Sequence, residues 1–300
     1  MGFIKSQYND GFFNVNSKNG FLPEFPPIEK LNKPYQKLQE ILDNMPVSVG
    51  NKSGYLDIPG RINLAVDKLP NLITEVSNEQ DIRIIQALFR GYSFLASAFA
   101  LEPSFQYFRK TGKYGKANNI LPKQIAQPFV EVSKKLDVFP WLDYHYAYSL
   151  GNYKKIDKNG DHTWSNLDMC VRFSGKPDEV GFIMLHVDIN QHTPALVGSV
   201  IKTLQNLKLA NDMKIIKYLK QNYETMKIMN HRRKQMWKAS RWNHYNDFRV
   251  FIMGVKGNND LFGDGVLYSL SLIHISEPTR PERIAYGGFV VEKKRGGGGG

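Results

Sequence analysis

The chain has 300 residues, of which 42% are hydrophobic and 12% aromatic, and this composition excludes an intrinsically disordered protein. Its single cysteine, Cys170, excludes an internal disulfide framework and favours a reducing, cytoplasmic location. The formal charge of +12 is compatible with nucleic-acid binding, so the distribution of that charge along the chain decides how it is interpreted.

The first half of the chain is predicted to be helical because its apolar residues recur at helical spacing. An extended, Pro-rich arm at 22–27 comes first. The apolar stretch 95–101, about a dozen residues with its neighbours, is too short for a membrane span and is typical of a buried helix. Residues 140–153 are rich in aromatic side chains and have no clear periodicity. The predicted helices span 35–42, 62–69, 79–101 and 128–136, the last with Pro128 at its start.

The second half of the chain is also predicted to be helical. Strand signals are few, and no alternation of strands with helices indicates a parallel sheet, so the predicted fold class is mostly α. A polar loop at 112–119 and a surface turn at 157–162 precede this region. The predicted helices span 181–191, 196–211, 213–238 and 245–253.

Much of the positive charge lies between Lys202 and Arg241, where Lys and Arg alternate with Leu, Ile and Met. Such alternation predicts a solvated helix face whose apolar residues are turned to a core. The aromatic residues here are scattered and accompany no zinc-finger or RNP signature. We therefore expect no nucleic-acid partner.

The chain changes character from Leu270 onward. Residues 270–280 (LSLIHISEPTR) resemble the conceptual translation of an adapter used in sequencing libraries. A second adapter-like element follows at 284–289, and five glycines occupy 296–300. We therefore interpret residues 270–300 as a non-native tail and leave His274 out of the search for metal ligands.

Common catalytic signatures are absent from the sequence. It contains no Walker A loop, no GxGxxG after a strand, no HExxH and no GxSxG. His231 and His244 are widely separated and have no cysteine or carboxylate at metal-ligand spacing. Nucleotide binding, serine hydrolysis and metal-dependent hydrolysis are therefore disfavoured.

Four segments carry a distinctive pattern in a fixed order. They are 121–136 (LPKQIAQPFVEVSKKL), 150–157 (LGNYKKID), 173–187 (FSG, then GFIMLHV) and 248–268 (FRVFIMG, then Lys256, Asn258, Asp264, Gly265 and Tyr268). In this order and spacing they resemble the indoleamine 2,3-dioxygenase family. The resemblance runs from about residue 20 to residue 268, and its specificity lies in the four segments together.

The resemblance implies a haem-dependent dioxygenase. Members of the family insert both atoms of O2 across the C2–C3 bond of tryptophan or another indoleamine, which gives N-formylkynurenine in the kynurenine pathway of tryptophan catabolism. The cofactor implied is haem b, iron protoporphyrin IX. The domains implied are a small N-terminal domain at 1–170 that roofs the distal side of the haem and a large helical haem- and substrate-binding domain at 171–269, incomplete here, before the tail at 270–300.

The resemblance also implies roles for individual residues. Arg249 matches the arginine that grips the substrate carboxylate, a task that suits a planar and permanently charged guanidinium. Phe182 matches the aromatic residue near the indole, and Ile183 replaces a second aromatic residue there. His186 is the candidate catalytic residue, which either accepts a hydrogen bond from the indole N–H or orients bound O2. Ile252 is a further candidate for the substrate pocket.

The register around the tyrosine that roofs the pocket is open. Counting from Pro140 places Tyr144 there, whereas counting back from Asn152 places His145 there. Of the residues in this segment, Tyr148 is favoured as a contributor to the substrate pocket. His244, one turn before the arginine, is a candidate for the pocket rim.

The sequence departs from the family pattern after Tyr268. The family carries a glycine-rich loop and then the histidine that ligates the iron, so no metal ligand is assigned within this chain. We expect the chain by itself to be inactive and to expose a large apolar surface.

Two alternatives remain from the sequence: a non-catalytic haem protein of the same fold that binds O2, and a basic helical nucleic-acid-binding module. Arg249 favours the dioxygenase, because an oxygen carrier needs no clamp for a carboxylate. We further expect a cytoplasmic monomer without a transmembrane segment. Met1 and Gly2 followed by Ser6 match a minimal N-myristoylation pattern, which leaves that modification open.

Overall fold

The computed structural model describes residues 15–269 and the strand His274–Ile275. This part of the chain is mostly α-helical, which confirms the predicted fold class. Its α-helices are α1 (Gln36–Asn44), α2 (Arg61–Asp67), α3 (Ile73–Asn78), α4 (Ile82–Thr111), α5 (Lys123–Leu136), α6 (Pro177–Asn190), α7 (Thr193–Lys208), α8 (Asp212–Arg233), α9 (Met236–Ala239), α10 (Asn246–Arg249) and α11 (Asn259–Phe262). A π-helix spans Tyr144–Leu150, and 3-10 turns span Tyr55–Asp57, Trp164–Asn166, Trp242–His244 and Val250–Ile252.

Short paired strands lie in the loops between the helices. They are β1 (Ser48–Val49), β2 (Lys52–Ser53), β3 (Ile120–Leu121), β4 (Tyr153–Lys155), β5 (Leu167–Met169), β6 (Val266–Tyr268) and β7 (His274–Ile275). β1 pairs with β2 and β4 with β5, both antiparallel. β6 pairs in parallel with β3 and antiparallel with β7, which brings the end of the described chain against the start of α5.

Helix α4 is the centre of the core and packs against α5, α1, the π-helix and the turn Val250–Ile252. The Asp81 side chain caps its start by accepting a hydrogen bond from the Arg83 N–H (2.8 Å). By length and composition alone α4 could cross a membrane, so the expectation of a short apolar run was wrong. However, 89% of its apolar window is buried inside the protein, as expected for a core helix.

The structure corrects the predicted end of α4, which continues past residue 101 to Thr111 through Pro103. A proline inside a helix cannot donate to the carbonyl four residues earlier, which here belongs to Phe99. The Asn118 side-chain amide donates to that carbonyl instead (3.1 Å). The helix ends at Gly112, whose positive φ of 72° suits a residue without Cβ.

The predicted start of α5 was also wrong, because the helix begins at Lys123 and contains Pro128 in its interior. The Pro122 carbonyl accepts from the N–H groups of Ile125 (3.0 Å) and Ala126 (2.9 Å), and these bonds form the first turn. Pro128 is buried in the core, so apolar burial offsets the helical hydrogen bond that its ring cannot make.

The basic segment forms helices as predicted, but most of its apolar residues do not face a core; Met229, Met236 and Ala239, which join a small cluster on α6, are exceptions. α7 and α8 pack on each other, and of the residues in α8 only Thr225 is buried. Their outer faces expose Val200, Ile201, Leu204, Leu207, Met213, Ile216, Leu219, Tyr223, Met226 and Ile228. The exposed apolar surface expected from the sequence, next to the missing segment, is a different one and stays a prediction.

A buried ion pair joins α8 to α6. The Asp188 carboxylate is fully buried and accepts from the Arg232 Nε (2.7 Å), the second guanidinium nitrogen and the Trp164 N–H (2.8 Å). These bonds satisfy the charge that burial would otherwise penalise. Residues from both sides of position 170 share one hydrophobic cluster, and the predicted division into domains stays a prediction.

We predict that Asn118→Ala destabilises the protein by about 1–2 kcal/mol, because the Phe99 carbonyl loses the donor that replaces Pro103. The free energy of unfolding in urea measures this effect. Asn119→Ala, which removes an exposed side chain next to it, should change that free energy by less than about 0.5 kcal/mol. Equal effects of the two substitutions would contradict the role assigned to Asn118.

Candidate functional site

Helix α6 carries two of the predicted site residues. It begins with Pro177 in its first turn, followed by the acidic Asp178 and Glu179, a composition that favours a helix N-terminus. At Gly181 a Cβ atom would lie 1.6 Å from the Ala239 carbonyl oxygen, so only glycine permits this approach of α9.

A row of half-buried aromatic side chains runs along one face of α6. We call Tyr144, Phe182, His186 and Tyr245 the aromatic row. The Phe182 ring lies 5.4 Å from the His186 ring and 5.9 Å from the Tyr245 ring, both edge to face. The Tyr144 ring lies 5.5 Å from His186, also edge to face. The structure therefore brings Phe182 and His186 together, as the sequence predicted.

The hydrogen bonds of His186 define which ring nitrogen carries the proton. Nδ1 lies 2.8 Å from the Phe182 carbonyl oxygen, which can only accept, so Nδ1 is protonated. Burial lowers the pKa of His186 below its ordinary value of 6.5, and the ring is therefore neutral at pH 7. Nε2 keeps its lone pair and accepts from the Tyr144 hydroxyl at 3.3 Å.

This contact bears on the register that the sequence left open, and which residue roofs a substrate pocket stays a prediction. Tyr144, at the start of the π-helix, is the residue of the pair that contacts His186. The Asp143 side chain holds the π-helix start by accepting from the N–H groups of Tyr146 (2.7 Å) and Ala147 (3.0 Å). The backbone that carries Tyr144 is therefore firmly placed.

Tyr148 and Ile183 lie one layer deeper than the aromatic row. Both are fully buried. The Tyr148 ring lies 5.7 Å from the Tyr144 ring and 5.8 Å from the Phe173 ring, so it supports the row from behind. Ile183 belongs to the main hydrophobic core. Direct contact of either residue with a substrate stays a prediction.

Sequence reasoning missed Glu179, whose carboxylate is fully buried beneath the row. It accepts from the Tyr148 hydroxyl (3.1 Å), the Phe173 N–H (2.9 Å), and the N–H (2.6 Å) and hydroxyl (2.8 Å) of Ser174. Burial raises the pKa of Glu179, and these hydrogen bonds oppose the rise. The available signal was an acidic residue at a helix start just after the FSG segment.

Arg249 lies at the end of α10, one turn after Tyr245 of the aromatic row. It is half-buried, and among residues 15–269 its guanidinium has no hydrogen bond or ion pair. Burial raises the pKa of Tyr114, and the positive charge of Arg249 opposes that rise, so the two side chains are within electrostatic reach. Ile252, also half-buried, packs against the main core one turn later.

His244 lies beside the row rather than on it. It is exposed, and its Nδ1 is 3.3 Å from an Asp247 carboxylate oxygen. With the β1–β2 hairpin, Arg109 and Lys176 it lines an open cleft of about 500 Å³.

The residues present fit one face of a planar, apolar cofactor. Phe182, Tyr144 and the neutral ring of His186 form a partly accessible aromatic wall with a cationic side chain at its end. Within the described part of the chain, no cluster of three or more His, Cys, Asp or Glu side chains forms a metal site. No axial ligand is assigned.

Comparison with known proteins identifies the family of this chain. A family model described as Indoleamine 2,3-dioxygenase matches residues 10–288, and the chain belongs to that family. The match continues into the segment from Leu270, of which the structure describes only His274–Ile275; the interpretation of the tail otherwise lies outside the described residues, as does the N-myristoylation pattern.

Individual relatives are similar over most of this chain. Indoleamine 2,3-dioxygenase 1 of Rattus norvegicus is 26% identical over 85% of the chain and 58% of its own length. Indoleamine 2,3-dioxygenase acdA of Aspergillus candidus is 24% identical over 82% of the chain and 57% of its own length. The chain thus spans somewhat over half the length of these relatives.

We predict that Glu179→Ala lowers the free energy of unfolding by about 3 kcal/mol or more, because it leaves several buried donors without an acceptor. Thermal or urea unfolding measures the loss. Glu131→Ala, which removes a half-buried carboxylate of α5 for which the structure gives no partner, is the matched control and should cost less than about 1 kcal/mol. A loss at Glu179 no larger than that of the control would contradict the assigned network.

Proposed function

We propose that this chain forms the substrate-binding part of a haem-dependent dioxygenase that inserts O2 across the indole C2–C3 bond of tryptophan or a related indoleamine. The product is N-formylkynurenine, and the reaction belongs to tryptophan catabolism. The observation that carries the proposal is the neutral His186, whose acceptor nitrogen Nε2 shares one half-buried face with Phe182.

Each group in this arrangement has a complementary group on tryptophan. The indole N–H donates to His186 Nε2, and the indole ring packs against Phe182. The carboxylate binds Arg249, whose guanidinium has no competing ion pair among the described residues. The neutral imidazole keeps the indole oriented without placing a second positive charge beside the substrate.

Bound haem b supplies the redox chemistry that activates O2. The aromatic row excludes water from one side of the reacting indole, and before substrate binds Tyr144 helps to hold His186 in place. The family resemblance assigns the axial histidine to a segment that follows Tyr268. We also propose that the protein is cytoplasmic and monomeric.

The tautomer of His186 favours the dioxygenase over an oxygen carrier. A distal histidine that stabilises bound O2 must donate a hydrogen bond from the nitrogen that faces it. His186 donates from Nδ1 to its own helix and leaves Nε2 as an acceptor. An acceptor suits an indole N–H and does not suit bound O2.

The test uses the complete gene product loaded with haem, and formation of N-formylkynurenine is its readout. Arg249→Leu should raise KM for tryptophan on the order of 10- to 100-fold, because a charge-assisted pair is lost. Tryptamine, which has no carboxylate, should bind the variant and the parent equally well. Arg241→Leu, an exposed arginine nearby, is the control and should change neither value.

Two results would contradict this proposal. One is a haem-loaded protein that forms no N-formylkynurenine from tryptophan or another indoleamine. The other is an equal loss of affinity for tryptophan and tryptamine in Arg249→Leu. That result would show that Arg249 does not bind the substrate carboxylate.

Tryptophan affinity should depend on pH through His186. The pKa of this residue is lowered below 6.5, so affinity stays constant as the pH falls from about 8 to about 6.5. At lower pH, protonation of Nε2 turns the acceptor into a donor, and affinity should fall about tenfold per pH unit once the pH is below the lowered pKa. Titration calorimetry across this range measures the profile.

His186→Gln is the matched variant, since its amide oxygen can accept a hydrogen bond and does not titrate in this range. Its affinity for tryptophan should be flat down to about pH 5. An acid-dependent loss that persists in this variant would show that another group is responsible.

A further inference from the structure

We propose that Tyr144 limits the preference of this site for indoles that carry a free N–H, because its hydroxyl occupies His186 Nε2 until such an N–H displaces it. This inference rests on the proposed function and deepens it. It concerns one hydrogen bond of the substrate-free protein, and it makes Tyr144 a specificity-determining residue.

The geometry of the His186 ring allows Nε2 to act only as a hydrogen-bond acceptor. The Nδ1–H of His186 is committed to the Phe182 carbonyl at 2.8 Å, so the ring cannot offer a different nitrogen without breaking a good hydrogen bond. Nε2 is an acceptor, and the Tyr144 hydroxyl is the donor that reaches it. A ligand that donates to Nε2 must therefore replace Tyr144.

The bond between Tyr144 and His186 can be replaced readily. At 3.3 Å it is longer than the 2.7–2.8 Å usual for a hydroxyl donor, which places it at the weak end. Both side chains are half-buried, so the displaced hydroxyl can turn towards solvent. The Asp143 cap holds the backbone, and rotation of the side chain alone is sufficient.

Exchange at this nitrogen distinguishes two kinds of indole. An indole with a free N–H replaces one hydrogen bond to Nε2 by another, so nothing polar is left unpaired. An N-methylated indole cannot donate, and it must bind with the Tyr144 hydroxyl still on His186. The free energy of the bond between Tyr144 and His186 therefore weakens the binding of indoles with a free N–H. It has no effect on the binding of N-methylated indoles.

Tyr144→Phe tests this directly, because it removes the competing donor and keeps the ring that packs on His186 and Tyr148. The dissociation constant of L-tryptophan in the haem-loaded complete protein should fall about 3- to 10-fold, which corresponds to the loss of one weak hydrogen bond. That of 1-methyl-L-tryptophan should stay within about twofold. Tyr107→Phe, at an exposed tyrosine of α4, should change neither constant.

A second measurement is independent of any substrate. Nitrogen NMR of the His186 ring in the 300-residue chain should give the Nδ1–H tautomer in both proteins. In Tyr144→Phe alone, the chemical shift of Nε2 should move to that of a ring nitrogen that accepts no hydrogen bond from the protein. Tyr107→Phe should leave it in place.

The outcomes separate this inference from the proposed function. If neither indole binds the parent protein, the proposed function fails, whatever the NMR shows. If both bind and Tyr144→Phe changes both constants equally, weakens tryptophan binding, or leaves the Nε2 resonance unmoved, only the role of Tyr144 is overturned.

Discussion

The buried carboxylate of Glu179 is the interaction on which the site depends. It joins three segments: the first turn of α6, the loop at Phe173 and Ser174 just before that helix, and the π-helix through Tyr148, 31 residues earlier in the chain. A fully buried carboxylate is costly unless donors surround it, and here backbone N–H groups and two hydroxyls do so. Because the donors come from different segments, satisfying this one group fixes their relative positions.

The positions of the side chains in the aromatic row depend on the hydrogen bonds of Glu179. Tyr148, held by Glu179, packs behind Tyr144, and Tyr144 reaches His186. His186 is restrained from its other side by the carbonyl of Phe182 within α6. The row thus has a neutral histidine of defined tautomer, which is the chemical property that separates binding of an indole N–H from stabilisation of O2.

The α7–α8 pair has a different character from the rest of the fold. Its basic side chains are solvated, but apolar side chains between them are exposed as well. The ion pair of Asp188 and Arg232 holds α8 on α6, so the pair is attached to the site helix although it buries little of its own surface.

The sequence by itself determined the mostly helical fold class, the approximate positions of the long helices, and the family to which the chain belongs. It also selected Phe182, His186 and Arg249, because the resemblance to the family matches its motifs to these positions. The helices depend on neighbours within a few positions, and periodicity reports such neighbours directly.

The tertiary structure alone decided the rest, because the deciding partners are distant in the chain. The continuation of α4 through Pro103 needed Asn118, and only the folded chain shows that Tyr144 contacts His186. Periodicity identified the apolar residues of α7 and α8 but could not say whether anything covers them. The role of Glu179 as an acceptor is visible only in the folded chain, where Tyr148, Phe173 and Ser174 donate to it, since the sequence does not show which groups donate to a carboxylate.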